Sequence, residues 1–237
     1  MSTYVMSDIH GNLDRFEKVL KQIDLQDDDK VYILGDVIDR NPYGIEILLR
    51  IIEDKRFEML LGNHEYMMLD YLDKYYQKKK TSDALNLWAL NGGMVTRSAF
   101  YRLSKDEQLR IYHYLRNLGV AICDLMVNDH MFYLVHANAN MNYTKGKVYC
   151  DDIDDLYSMI WNRRYDDSIM FDDRTIVAGH TIVAYYTMNY QDPMSIYFDS
   201  DNIKDASYID LDCGSGANSI ISRLSCLRLD DFECFYG

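Results

Sequence analysis

Four short apolar runs constrain this chain more than any other feature. They are Thr3 to Met6, Lys30 to Leu34, Phe57 to Leu61 and Met131 to Val135, and each stops abruptly at a polar cluster. Runs of this length that end at polar clusters read as β-strands. Between the first two, Leu13, Phe16, Leu20 and Ile23 recur at helical spacing, and after the second Pro42 stands where the first turn of a helix would accept it. Strand and helix signals that alternate in this way predict an α/β layered fold.

From residue 81 to 119 the pattern is helical, with Ser104 and Glu107 at capping-box spacing ahead of Leu109, Tyr112 and Leu115. This stretch is expected to form an inserted helical cap. The last third carries further β-type runs at Thr175 to Ala178, Tyr208 to Leu211 and Ile220 to Leu229, with Gly214 and Gly216 between the last two, and these predict a second sheet. With only two prolines, Pro42 and Pro193, and no low-complexity tract or repeat, nothing divides the 237 residues. The expectation is one α/β domain over residues 1–237, a two-sheet sandwich flanked by helices.

Charge narrows the partners. Acidic residues number 38 against 25 basic, a formal charge of −13 that repels nucleic acid polymers and anionic membranes over most of the surface. Five cysteines, Cys123, Cys150, Cys213, Cys226 and Cys234, are odd in number and form no CxxC pair, which argues against a disulfide framework and a thiolate zinc site. A reducing cytoplasm is the expected compartment. The N-terminus has no signal-peptide pattern, and no apolar run approaches the ~20 residues that span a bilayer.

The chemistry gathers where the strands end. The first run leads into Ser7-Asp8-Ile9-His10-Gly11, the second into Gly35-Asp36-Val37-Ile38-Asp39-Arg40, and the third into Gly62-Asn63-His64-Glu65. His136 follows the fourth run directly, and His180 follows Thr175 to Ala178 and Gly179. A lone DxH pair means little, but ligands collect outside the carboxyl ends of strands in α/β sheets. Oxygen and nitrogen donors gathered there suit hard or borderline divalent ions. His113, on an amphipathic helical pattern, and His130, beside Asp129, are given structural roles.

The segments SDIHGN, GDVIDR, GNHE, VHA and AGHT, in this order and rough spacing, resemble the calcineurin-like metallophosphoesterases. More narrowly, Trp88 with Asn91-Gly92-Gly93 and Thr96, Trp161-Asn162-Arg163, and Asp210-Leu211-Asp212-Cys213-Gly214 resemble later blocks of the bacterial phosphoprotein phosphatase branch. The resemblance implies two divalent ions, manganese first with iron, zinc or magnesium as alternatives. Asp8 and His10 would hold one, Asp36 would bridge, and Asn63, His136 and His180 would complete the other. It further implies a metal-bridging hydroxide as nucleophile, His64 as general acid, and Asp39 as the carboxylate that orients it. Arg40 would clamp the substrate phosphate, a role that suits the bidentate guanidinium. Arg163 would be the second clamp, preferred over Arg164 on its spacing from Trp161.

Three positions depart from the commonest family pattern, each with a non-glycine residue where glycine is frequent: Ser7, Asn41 and Asn138. Asparagine tolerates positive φ better than most residues, so Asn41 and Asn138 are expected to preserve their turns. The function the resemblance implies first is a serine/threonine protein phosphatase, with a phosphoprotein or small phosphoester as substrate. The alternative is a nucleotide pyrophosphohydrolase similar to the diadenosine tetraphosphatases, whose symmetrically cleaving type tends to carry asparagine where Asp39 stands. A third possibility, a scaffold that kept the fold and lost the chemistry, would require a missing ligand, and every expected position is filled.

Overall fold

A computed structural model describes residues 1–152, 154–163, 171–186, 194–217 and 219–237. The first sheet joins β1 (Thr3–Met6), β2 (Lys30–Ile33) and β3 (Phe57–Met59) in parallel. The three are linked through α1 (Leu13–Ile23) and α2 (Gly44–Glu53), the expected strand–helix alternation. After β3 come α3 (Asn63–Tyr76), α4 (Ser82–Leu90), α5 (Met94–Phe100) and α6 (Lys105–Arg116). The chain then forms β4 (Gly119–Val127), β5 (His130–Val135), β6 (Lys147–Tyr149), α7 (Leu156–Ile160), β7 (Thr175–Ala178), β8 (Tyr197–Phe198) and β9 (Tyr208–Asp210). It ends in β10 (Ser225–Arg228) and β11 (Cys234–Tyr236).

The second sheet runs β6-β4-β5-β7-β9-β8, and the first runs β11-β10-β1-β2-β3. The run Ile220 to Leu229, expected in the second sheet, therefore belongs to the first. Its ordered part is β10, antiparallel to β1 with Val5 opposite Leu227, while Ile220 and Ile221 are exposed. Nothing in a β-type run records which sheet it will pair with, because pairing is set by partners far away in sequence.

Both sheets are buried on two faces, which explains their continuous apolar runs. Side chains alternate along a strand. In β1, Val5 joins Leu34, Phe132, Leu134, Val177, Ile209 and Leu227 in the core between the sheets. Tyr4 and Met6 turn the other way, into the cluster built with Phe16, Val19 and Leu20 of α1. Removing one of the inner rings, as in Phe132→Ala, would cost about 3–5 kcal/mol. The sheets also meet through backbone, where Leu61 N–H donates to Gly119 C=O at 2.8 Å.

The segment expected as a cap is helical, and the Ser104–Glu107 capping box is present. It packs as a layer alongside α2 and α3 rather than as a lid, with Trp88, Phe100, Ile111 and Leu115 in the core. Ile111, not Leu109, is buried on α6, and Leu109 is exposed. Pro42 lies in the turn before Tyr43, the N-cap of α2, two positions ahead of the first helical residue Gly44 rather than in the first turn. Among the described residues no helix is long and apolar enough to cross a membrane.

Candidate metal centre

The strand-end loops zip together before any side chain matters. Asp8 N–H donates to Gly35 C=O, His10 N–H to Asp36 C=O and Gly11 N–H to Val37 C=O, tying the β1 loop to the β2 loop. Gly179 N–H donates to His136 C=O, and His180 N–H to Asp8 Oδ2 at 2.9 Å, which closes the ring from the second sheet. Two glycines permit this closeness. A Cβ at Gly179 would lie 2.3 Å from Asp8 Oδ2, and one at Gly62 would lie 2.3 Å from Asp36 Oδ1.

The backbone is strained where the donors sit. Asp8, His10, Asp36, Asp39, Arg40 and His180 have φ of 55°, 49°, 56°, 72°, 67° and 65°, a left-handed cluster at non-glycine residues. Each such residue costs on the order of 1–3 kcal/mol and persists only where its surroundings over-determine it, as they do at functional sites. Asn41 and Asn138 are not among the positive-φ residues, so the expected reason for asparagine there is wrong. Their amides act instead: Asn41 Nδ2 donates to His10 C=O at 3.0 Å, and Asn138 Nδ2 to Asn162 C=O at 2.7 Å. Ser7 contributes a hydroxyl that donates to Asp8 Oδ2 at 2.6 Å.

The six expected ligands converge on one site. Asp36 stands in the middle, with Oδ2 at 3.6 Å from His10 Nε2 and Oδ1 at 3.5 Å from His136 Nε2. Asp8 Oδ1 lies 3.8 Å from His10 Nε2. On the other side, Asn63 Oδ1 is 2.9 Å from His136 Nε2 and 3.1 Å from His180 Nδ1. Donors that bind one ion at about 2.0–2.2 Å are spaced about 3–3.6 Å apart, so this packing suits a cation on each side of Asp36. The remaining ring nitrogens are held by carbonyls: His10 Nδ1 by Ile38, His136 Nδ1 by Leu34 and His180 Nε2 by Trp161. His10 Nε2 is buried without a hydrogen-bond partner. A buried lone pair aimed at two carboxylates fits a metal ion, and the mixed N/O donor set accepts several divalent ions.

His64 opens α3 beside this set. Its Nδ1 lies 2.7 Å from Asp39 Oδ2, and its Nε2 faces Asp36 Oδ2 at 3.8 Å. The carboxylate accepts, so Nδ1 carries the proton and Nε2 points toward the centre. By distance alone His64 groups with His10 and Asp36 as a possible ligand set, a competing role to the acid expected of it. Asp39 is itself held from the helical layer, since Trp88 Nε1 donates to both its oxygens at 2.9 and 3.1 Å and Asp39 N–H donates to Thr96 Oγ1.

Glu65 was missed as a functional residue. Fully buried, its carboxylate accepts from the backbone N–H groups of Asp36, Val37 and Ile38 at 2.8, 2.9 and 3.3 Å. It thereby fixes the loop that presents Asp36. Its place in GNHE, directly after His64, was the available signal. Asp212 is a second omission as a site residue: it is buried, lines the cleft and accepts from Gly214 N–H.

The cleft above the donors, about 170 Å³, is lined by Asp36, Asn63, His64 and His180, with Arg40 and Arg163 among its walls. Arg40 is exposed, with Nη2 3.4 Å from His64 Nε2. Arg163 is also exposed, its guanidinium carbon 5.0 Å over the Tyr185 ring. Arg164, the other candidate clamp, lies outside the described residues. The two histidines given structural roles are elsewhere: His113 is exposed on α6, and His130 bonds Thr175 Oγ1 within the second sheet.

Electrostatics favour a cation. Burial pushes the His136 and His64 imidazoles down to about 3, and burial with the nearby His64 and Arg40 charges drives His10 well below its usual value. Neutral imidazole is the form that binds metal. Asp36 is driven far up by burial and by the Asp8 and Glu65 charges, so its ionised form lacks compensation that a divalent ion would supply. Burial raises Asp39 to about 7, against the Thr96 and Trp88 hydrogen bonds and the Arg40 charge.

Two packed mixed sheets with carboxylate, amide and imidazole donors at adjoining strand ends define an α/β sandwich with a metal-competent site. The chain belongs to the calcineurin-like phosphoesterase family, whose model matches residues 1–212. It is 29% identical over 142 residues to a symmetrical bis(5'-nucleosyl)-tetraphosphatase of Haemophilus ducreyi, covering 58% of this chain and 45% of that protein. The chain thus spans less than half the length of that relative. A solved structure named for a candidate diadenosine tetraphosphatase is superimposable with a TM-score of 0.60 at 16% identity, covering 100% of this chain and 92% of the other. A protein serine/threonine phosphatase from Saccharomyces cerevisiae follows at 0.59 and 12%, covering 97% and 72%. At these identities the structural matches establish the fold.

Proposed function

We propose that this chain is a dinuclear metal-dependent phosphoester hydrolase whose substrates are nucleotides carrying a polyphosphate chain. The observation that carries the dinuclear assignment is Asp36, whose two oxygens face His10 on one side and His136 on the other. Asp8, His10 and Asp36 would hold one ion, and Asp36, Asn63, His136 and His180 the other, with manganese as the first candidate. When bound, such a pair supplies Lewis-acid stabilisation of the phosphoryl group and an acidified water. Arg40 and Arg163 offer guanidinium groups to phosphate oxygens from the cleft walls. Once charged, His64 would give the leaving oxygen a proton from Nε2, while Asp39 fixes its ring through Nδ1 and stabilises the charged imidazole. The nucleotide assignment draws support from the name of the Haemophilus ducreyi relative.

A second reading, a phosphomonoesterase acting on phosphoserine or phosphothreonine, is favoured by the Asp39–His64 pair. An alkoxide leaving group needs a proton more than a phosphate does, and this pair is built to supply one. The two separate by comparing kcat/KM for diadenosine tetraphosphate and a phosphothreonine peptide at equal manganese. Preference for the dinucleotide is expected, and preference for the peptide would replace the first reading with the second.

A further inference from the structure

We infer that the stacked rings of Tyr157 and Trp161, at the edge of the cleft, form a shelf for the substrate's nucleobase. This rests on the nucleotide reading above. Tyr157 and Trp161 stand four residues apart on α7 and its C-cap, with ring centroids 6.0 Å apart and planes only 14° from parallel. The helix already has its inward face, since Met159 and Ile160 are fully buried. Tyr157 is nonetheless 62% exposed, so core packing does not account for it. Most of the residue is left to solvent, where a third ring could meet it.

The shelf is tied to the metal centre through Trp161. That ring lines the cleft, its carbonyl accepts from His180 Nε2 at 2.9 Å, and its centroid lies 6.5 Å from the His180 ring. A group stacked there has its distance to the metal ligands set by one short connection. Two residues on, Arg163 lies over the half-exposed Tyr185 ring with its guanidinium also lining the cleft. Aromatic ledge, guanidinium and candidate metal ligands therefore meet in one cleft. A nucleotide carries the matching groups, a base for the ledge and phosphates for the guanidinium and the metal centre. Parallel rings bind any nucleobase through its π face without reading its edges, and the charge of −13 favours a free nucleotide over a nucleic acid polymer.

The chain has two tryptophans, and Trp88 is buried at 1% exposure, so a ligand at the shelf would change the emission of Trp161 selectively. Titrating AMP into the manganese-loaded protein should quench this emission saturably, and ribose 5-phosphate should bind more weakly. Tyr157→Ala should weaken AMP about five- to a hundredfold, the range of one lost stacking contact, and Tyr157→Phe should restore most of it. In turnover, Tyr157→Ala should raise KM for diadenosine tetraphosphate more than KM for inorganic tripolyphosphate, which has no base. Wild-type AMP affinity in Tyr157→Ala, in a protein that still cleaves the dinucleotide, would overturn the shelf and leave the nucleotide reading standing. No AMP binding by the wild type together with cleavage of phosphopeptide alone would overturn both.

Discussion

Glu65→Gln tests how the fold holds its central donor. Three buried backbone N–H groups depend on this one carboxylate. Orphaning all three, as alanine would, costs about 1–3 kcal/mol each, about 3–9 in total. Whole-domain stability is about 5–15 kcal/mol, so Glu65→Ala is expected to be largely unfolded. Glutamine keeps one oxygen, which serves most donors in the Oε1 position facing Val37 and Ile38. Its amide NH₂ then meets the Asp36 N–H, donor against donor, for a loss of about 1–3 kcal/mol. The released residue is Asp36, held at φ 56°, so the geometry between the two half-sites loosens and manganese affinity should fall about 10- to 100-fold. Urea unfolding in excess chelator measures the first effect, and calorimetric manganese titration the second. Both belong at about pH 8, because burial places the Glu65 carboxyl near 7 and the comparison needs its ionised form. Stability within about 0.5 kcal/mol of wild type would refute the assigned role, since an orphaned buried donor cannot cost so little.

Other consequences are as concrete. His64→Asn should retain both metals while losing about 10²- to 10⁴-fold in kcat, with the larger loss on substrates with poor leaving groups. Equal metal loss in this variant would make His64 a ligand, the role its distance to His10 and Asp36 also allows. Asp36→Asn should weaken both metals in a titration, because its two oxygens face opposite half-sites, and loss of one alone would contradict the bridge. Burial holds the Asp210 carboxyl well above its usual 3.8, so the native state binds its proton more tightly than the unfolded chain does. That contribution is complete below 3.8 and is lost as pH rises through the raised native value. The melting temperature of wild type relative to Asp210→Asn should therefore fall as pH rises above 3.8, and a rise would reverse the sign of the shift.

Most of the candidate centre was legible because its candidate ligands sit directly after apolar strands. Asp8, Asp36, His136 and His180 follow β1, β2, β5 and β7 closely, and Asn63 opens the helix after β3, so each was visible as a polar break in an apolar run. The second sheet was legible only in part, since Ile220 to Leu229 carries a strand signal but no record of its partner β1. Helical phase misled at Leu109, where the neighbouring Ile111 takes the buried position. Asparagine chemistry misled at Asn41 and Asn138, because the same side chain serves either a left-handed turn or an amide donor.

Local pattern sets which residues can form a strand, which face is apolar and where the polar end falls, because those depend on neighbours a few positions away. By itself the sequence thus determined the α/β alternation and the set of donors. It did not determine that Trp88 would hold Asp39 across 49 positions, that Glu65 would reach back to three amides of the preceding loop, or that Asp36 would face two ways. Those were decided by the tertiary structure, where packing brings distant segments within hydrogen-bond range and holds six backbone conformations that no isolated loop would keep.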